Sequence, residues 1–152
     1  MKLSSAAAVL VCLHPASAHA ACDPSKRDAR YDIKSDTVLD KTSHLTWQRC
    51  SVGQQWKDGT GCTGAVKALT WSDAKQEQSG GWRLPTRDEL ASLVSKTCAK
   101  PAIDDAVFPG MEPDSMNYWT ATAVSDSSVY YVNFANGVAS ADAIDEPYAV
   151  RL

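Results

Sequence analysis

The sequence predicts an α+β domain in which two helices pack on short antiparallel sheets joined by long ordered loops. Three observations carry that expectation. Thr86 and Glu89 stand three apart just before Leu90 and Leu93, the capping-box pattern that opens a helix. Val129 to Phe134 is rich in β-branched and aromatic residues and runs into Asn136-Gly137, a hairpin turn signal. Cys22, Cys50, Cys62 and Cys98 remain once an N-terminal leader is set aside, an even number suited to two disulfides.

The leader is expected at residues 1–20, with the domain at 21–152. Lys2 precedes an apolar run, Ala6 to Leu13, that is shorter than the roughly 20 residues a membrane-spanning helix needs. Ala18-His19-Ala20 then forms a small-x-small cleavage site. Export to the periplasm or cell surface follows, and disulfides persist in such oxidising compartments. Lipid attachment at Cys22 is the alternative, although His19 is a poor lipobox residue.

The elements are expected in this order. Tyr31 to Val38 and Leu45 to Cys50 read as short strands, the second alternating Leu45 and Trp47 with Thr46 and Gln48. Gly53 to Gly64 reads as a polar loop. Trp71 to Gln78 is the first helix, with Trp71, Ala74 and the Lys75 stem on one face. Thr86 to Ser95 is the second, with Leu90, Leu93 and Val94 inward. Lys100 to Asn117, holding Pro101, Pro109, Pro113 and Gly110, is a long loop. Strands follow at Tyr118–Ala123, Val129–Phe134, Val138–Ile144 and Tyr148–Leu152.

Four cysteines allow three pairings. Cys50 and Cys62 flank a short polar stretch, so they are paired, leaving Cys22 with Cys98. A loop of the shorter size contributes about 3 kcal/mol by chain entropy. Zinc needs closely spaced Cys pairs or several His, and His44 is the only histidine after the leader.

Charge is uneven. The chain holds 15 Lys and Arg against 18 Asp and Glu. Beyond residue 100, Arg151 stands alone against Asp104, Asp105, Glu112, Asp114, Asp126, Asp142, Asp145 and Glu146. That balance argues against nucleic acid as a partner and against polyanions on the C-terminal face.

Several motifs recur together. They are Thr46-Trp47-Gln48-Arg49-Cys50, Cys62-Thr63-Gly64, Gly80-Gly81-Trp82-Arg83-Leu84-Pro85-Thr86 with Glu89-Leu90, and Pro101-Ala102-Ile103-Asp104 with Phe108-Pro109. Tyr118-Trp119-Thr120, Val132-Asn133-Phe134 with Asn136-Gly137, and Val150-Arg151-Leu152 complete the set. In order and spacing the chain resembles the Lcl C-terminal domain family of exported bacterial proteins. One departure is Thr42-Ser43-His44-Leu45, where the family usually has Thr-Gly-Leu. The resemblance implies a C-type-lectin-like fold whose C-terminal loops present the binding face. It also implies a non-enzymatic module that recognises a glycan or an envelope or surface protein, with no membrane span. A structural envelope subunit, as part of an oligomer, is the alternative.

On that face the expected ligand contacts are Tyr118, Asp126, Tyr130, Tyr131, Asn133, Asp142, Asp145 and Tyr148, residue types that make adaptable contacts in binding loops. Trp56, in the polar loop, is the expected exposed indole. Trp47, Trp71, Trp82 and Trp119 are expected in the core. Arg83 is expected to organise its turn through an internal bridge, and Glu89 to cap its helix. No cofactor is expected. A calcium site would require Asp142, Asp145 and Glu146 to gather on one loop. Lone His44 has no nucleophile partner, so an enzyme is not expected.

Overall fold

Short strands dominate the computed structural model, which describes Cys22 and residues 29–112 and 116–152. The expected signal peptide lies outside the described residues. Strands β1 (Tyr31–Ile33), β2 (Thr37–Asp40) and β3 (Leu45–Gln48) form one antiparallel sheet. Strands β4 (Gln55–Lys57) and β5 (Gly61–Thr63) form a two-stranded hairpin. Strands β6 (Asn117–Ser125), β7 (Ser128–Asn133) and β8 (Val138–Ala143) form the last sheet. Helix α1 (Trp71–Ala74) continues as a 3-10 turn over Lys75–Glu77, and helix α2 (Arg87–Ala91) follows.

Both expected helices are shorter than their sequence pattern. In α1 one turn buries Ala74, and the polar Lys75-Gln76-Glu77-Gln78 run supplies no second apolar contact to prolong it. Helix α2 begins as expected: Thr86 Oγ1 accepts the Glu89 amide at 3.2 Å, and the Glu89 carboxylate accepts the Thr86 amide at 2.8 Å. After Ala91 the chain tightens into i→i+3 bonds, which still turn Leu93 into the core.

Two strand boundaries also differ. Tyr31 to Val38 is not one strand but a hairpin, turned at Lys34-Ser35-Asp36 and closed by Lys34 N–H to Thr37 O at 2.9 Å. The loop at 53–64 is itself the β4–β5 hairpin, with Trp56 opposite Cys62. The β7–β8 connection departs from the expected two-residue turn. Gly137 has φ +75°, but Asn136 does not share that conformation. Instead the Asn133 side chain accepts the amides of Ala135 and Asn136 and holds a wider loop. A side chain on Gly137 would meet Val94 at 2.6 Å, so the loop packs directly on the end of α2.

Both disulfides form as expected, Cys50–Cys62 and Cys22–Cys98. The second corrects the lipid-anchor alternative, because the Cys22 sulfur is already bonded. Among the described residues no helix is long and apolar enough to cross a membrane.

The last sheet divides two apolar clusters. Tyr118 and its cross-strand partner Val132 pack into one, with Trp47, Leu90, Leu93, Phe108 and Phe134. Trp119 and Val129 pack into the other, with Ala74, Leu84, Val150 and Leu152. Neighbouring strand residues point to opposite faces, so a sheet covered on both sides reads as a continuous apolar run. Tyr148–Leu152 is not a ladder strand as expected. It is an extended segment stitched to Leu69, to Asn117 and Trp119, to Val52 and to Gln48 in turn. Its Arg151 is fully buried, donating to the carbonyls of Gln48 and Arg49 and to Ser51 Oγ, between the Phe108 and Tyr118 rings. Burial pushes the guanidinium pKa down from its usual value.

Candidate functional site

A cavity of about 360 Å³ opens beside the Gly80–Pro85 turn. Its wall is assembled from four places in the chain. Strand β3 supplies Leu45, Thr46 and Trp47; the turn supplies Gly80, Gly81, Trp82, Arg83 and Pro85; α2 supplies Glu89; the closing segment supplies Leu152.

Local chemistry explains why the turn stands where it does. Gly80 and Gly81 have φ of +61° and +88°, a left-handed pair that side-chain-bearing residues resist. A Cβ at either would meet nothing within 4 Å, so the backbone path and not crowding requires glycine. Trp82 N–H donates to Ser79 O at 3.0 Å, and Leu84 N–H to Gln78 Oε1 at 3.2 Å. Pro85 O accepts the Ala121 amide at 2.7 Å, which fastens the turn to β6.

The polar rim is an ion pair. Arg83 Nη1 donates to Glu89 Oε2 at 2.8 Å, and Nη2 to Oε1 at 2.7 Å, a bidentate fork. Nη1 also donates to Leu84 O at 3.2 Å. Arg83 above all, with the Thr86 amide, holds the Glu89 carboxyl down at about 2. The same contact raises the Arg83 pKa. Capacity is left over. Arg83 Nε and the second Nη2 hydrogen have no hydrogen-bond partner among the described residues; Glu89 Oε1 accepts from Arg83 Nη2, Oε2 accepts from Arg83 Nη1 and the Thr86 amide, and the Thr86 hydroxyl lies close to the same carboxylate. The floor is apolar. Trp47 is 2% exposed, its Nε1–H without an acceptor among the described residues, while Trp82 and Leu45 are half-buried.

None of the expected contact residues lines this cavity. Tyr118 is a correction: it is fully buried, its hydroxyl 2.7 Å from Ser51 Oγ and its ring edge-on to Phe134, so it packs and meets no ligand. Asn133 is a second. Its amide nitrogen donates to Asn117 Oδ1 at 2.7 Å while its oxygen caps the β7–β8 loop. Tyr148 is half-buried between Trp119 and Tyr131, with ring centroids at 4.6 and 4.8 Å, and donates to Asp142 Oδ2 at 2.6 Å. Burial and that carboxylate raise the Tyr148 pKa, and the phenol in turn lowers that of Asp142. Tyr130 lies under the Arg87 guanidinium. Trp56 stacks on Arg49 at 4.1 Å and donates to Asp58 at 2.8 Å. Asp126 and Asp145 are exposed in turns.

Asp142, Asp145 and Glu146 do not gather into a calcium-ligating group. Among the described residues, potential metal-ligating atoms converge at Cys22, Asp104 and Asp105, where Cys22 is committed to its disulfide. Trp82, Arg83 and Glu89 were expected as core, turn brace and helix cap. Arg83 and Glu89 hold those roles and line the cavity as well, whereas Trp82 is a correction: it is half-buried, one side packed on the apolar cluster and the rest lining the cavity. The paired glycines before Trp82 are the sequence signal for it, since a left-handed turn beside an indole leaves open space next to a ring.

A family model for the Lcl C-terminal domain matches residues 36–152. That span is most of the chain, and the chain belongs to this family. No curated protein matches it.

Proposed function

We propose that this member of the Lcl C-terminal domain family is an exported, non-enzymatic module that binds a glycan in the cavity beside the Gly80–Pro85 turn. The observation that carries the reading is the cavity itself. Its volume, about 360 Å³, falls in the range of small-ligand sites, and it joins a Trp-lined floor to a polar rim with unspent hydrogen-bonding capacity. Sugars suit such a wall, because their C–H faces stack on indole rings while their hydroxyls reach charged side chains. Glu89, held at about 2 by Arg83 and the Thr86 amide, is ill suited to act as a general acid or base near neutral pH, which accords with a binding role. Export is supported by the two disulfides, which suit an oxidising compartment. The mixed architecture of short antiparallel sheets and few helices accords with the C-type-lectin-like fold that the family implies.

The test is a glycan array probed with the oxidised protein, with and without EDTA. Binding that survives EDTA is the expected result. A blank array overturns the glycan reading and directs the search to a protein partner in envelope fractions.

A further inference from the structure

Resting on that glycan reading, we infer that the cavity takes an uncharged pyranose through two adjacent hydroxyls and discriminates against sulfated and uronic-acid sugars. The inference follows from how the ion pair spends its atoms. Arg83 turns its Nη1–Nη2 edge to Glu89, at 2.8 and 2.7 Å. Its Nε–Nη2 edge keeps two parallel N–H donors in a fixed fork. Beside that fork, Glu89 Oε1 keeps a free lone pair, while Oε2 is filled by Arg83 and the Thr86 amide. Donor and acceptor therefore lie next to each other on one rim. A hydroxyl group both accepts and donates, and two on neighbouring ring carbons present two oxygens to the fork and a proton to the carboxylate.

A sulfate or carboxylate would also fit the fork, but its charge would not be welcome. The Arg83 charge is already matched by Glu89, so the anion would meet a neutral pair and face a carboxylate that stays ionised down to about pH 2. It would have no hydrogen to offer Oε1 and would lie against a like charge. Among the described residues, Arg83 is also the only cationic side chain in the cavity wall. The Trp82 ring and the aliphatic Leu45, Pro85 and Leu152 supply an apolar surface for the ring face of a pyranose.

Matched neutral, sulfated and uronic-acid forms of the same pyranosides, arrayed at low and physiological salt, test this. Neutral forms are expected to bind at least about tenfold more tightly at low salt, a gap of about 1.4 kcal/mol that narrows as salt screens the repulsion. Charged forms that bind as well as neutral ones, or better, would overturn the inference and leave the glycan reading standing. A blank array would sink the glycan reading itself. Location is tested with Arg83→Lys, which keeps a cation beside Glu89 but loses the fork, and with Trp82→Phe. Each is expected to weaken neutral-sugar binding at least about tenfold with a circular-dichroism melting curve close to that of the parent. Unchanged affinity in both variants would place the sugar elsewhere.

Discussion

The cavity wall and the C-terminal sheet carry similar chemistry, aromatic rings beside carboxylates, and put it to opposite uses. On the sheet those groups are spent on one another. Tyr148 stacks on Trp119 and Tyr131 and gives its proton to Asp142, and Asn133 holds Asn117 and its own loop. At the cavity, Arg83 and Glu89 also bind each other, but the pairing leaves donors and an acceptor unspent on residues that line the opening. Tyr, Asn and Asp in a strand-rich segment therefore do not by themselves mark a site. Concavity together with unspent donors and acceptors does.

The sharpest way to break the contrast is Tyr118→Ala. If Tyr118 is core and not contact surface, its loss should cost about 3–5 kcal/mol in urea unfolding, the usual penalty for emptying a buried aromatic site. A loss under about 1 kcal/mol would contradict its burial. Next comes a paired substitution read by glycan titration. Trp82→Ala should weaken binding at least about tenfold, whereas Tyr131→Ala, on the spent side, should change it less than about twofold. The reverse pattern would return the site to the C-terminal sheet.

Glu89 provides a smaller, pH-dependent effect. Its carboxyl is held at about 2, below its ordinary 4.5. A depressed carboxylate stabilises the fold fully above the unfolded value and loses that contribution as pH falls from about 4.5 towards 2. Because the pair is partly exposed, solvent screening keeps this near or below about 1 kcal/mol. Glu89→Gln should flatten that part of the acid limb in a series of melting curves; an unaltered slope would mean the ion pair contributes nothing there. The smallest expected effect concerns His44. It sits at φ +59° in the turn before β3, a left-handed conformation that glycine adopts without strain. His44→Gly should relieve about 1–2 kcal/mol of left-handed strain, offset by about 0.5–1 kcal/mol of added chain entropy, for a slight net gain in melting temperature. A lower melting temperature would show that the His side chain stabilises the turn.

Legibility followed the range of the interaction. The Thr86–Glu89 cap was readable because both partners lie within one helical turn. The Cys50–Cys62 pairing was readable because a short polar stretch separates the two residues. The turn at Lys34-Ser35-Asp36 was not, because it has neither Gly nor Pro, and Tyr31 to Val38 looked continuous. Tyr118 could not be sorted from Tyr130 and Tyr131 by type. What separates them is that Tyr118 meets Ser51 and Phe134 across the fold.

By itself the sequence determined the α+β class, the family, the disulfide partners and the start of α2, all of which rest on local spacing or on ordered motifs. Tertiary structure alone decided which aromatics are spent and which are open. The cavity joins β3, the Gly80–Pro85 turn, α2 and the closing segment. Its hydrogen-bonding balance is set by which side chains those separate segments bring within 3 Å of one another, a fact about distances in space that spacing along the chain does not record.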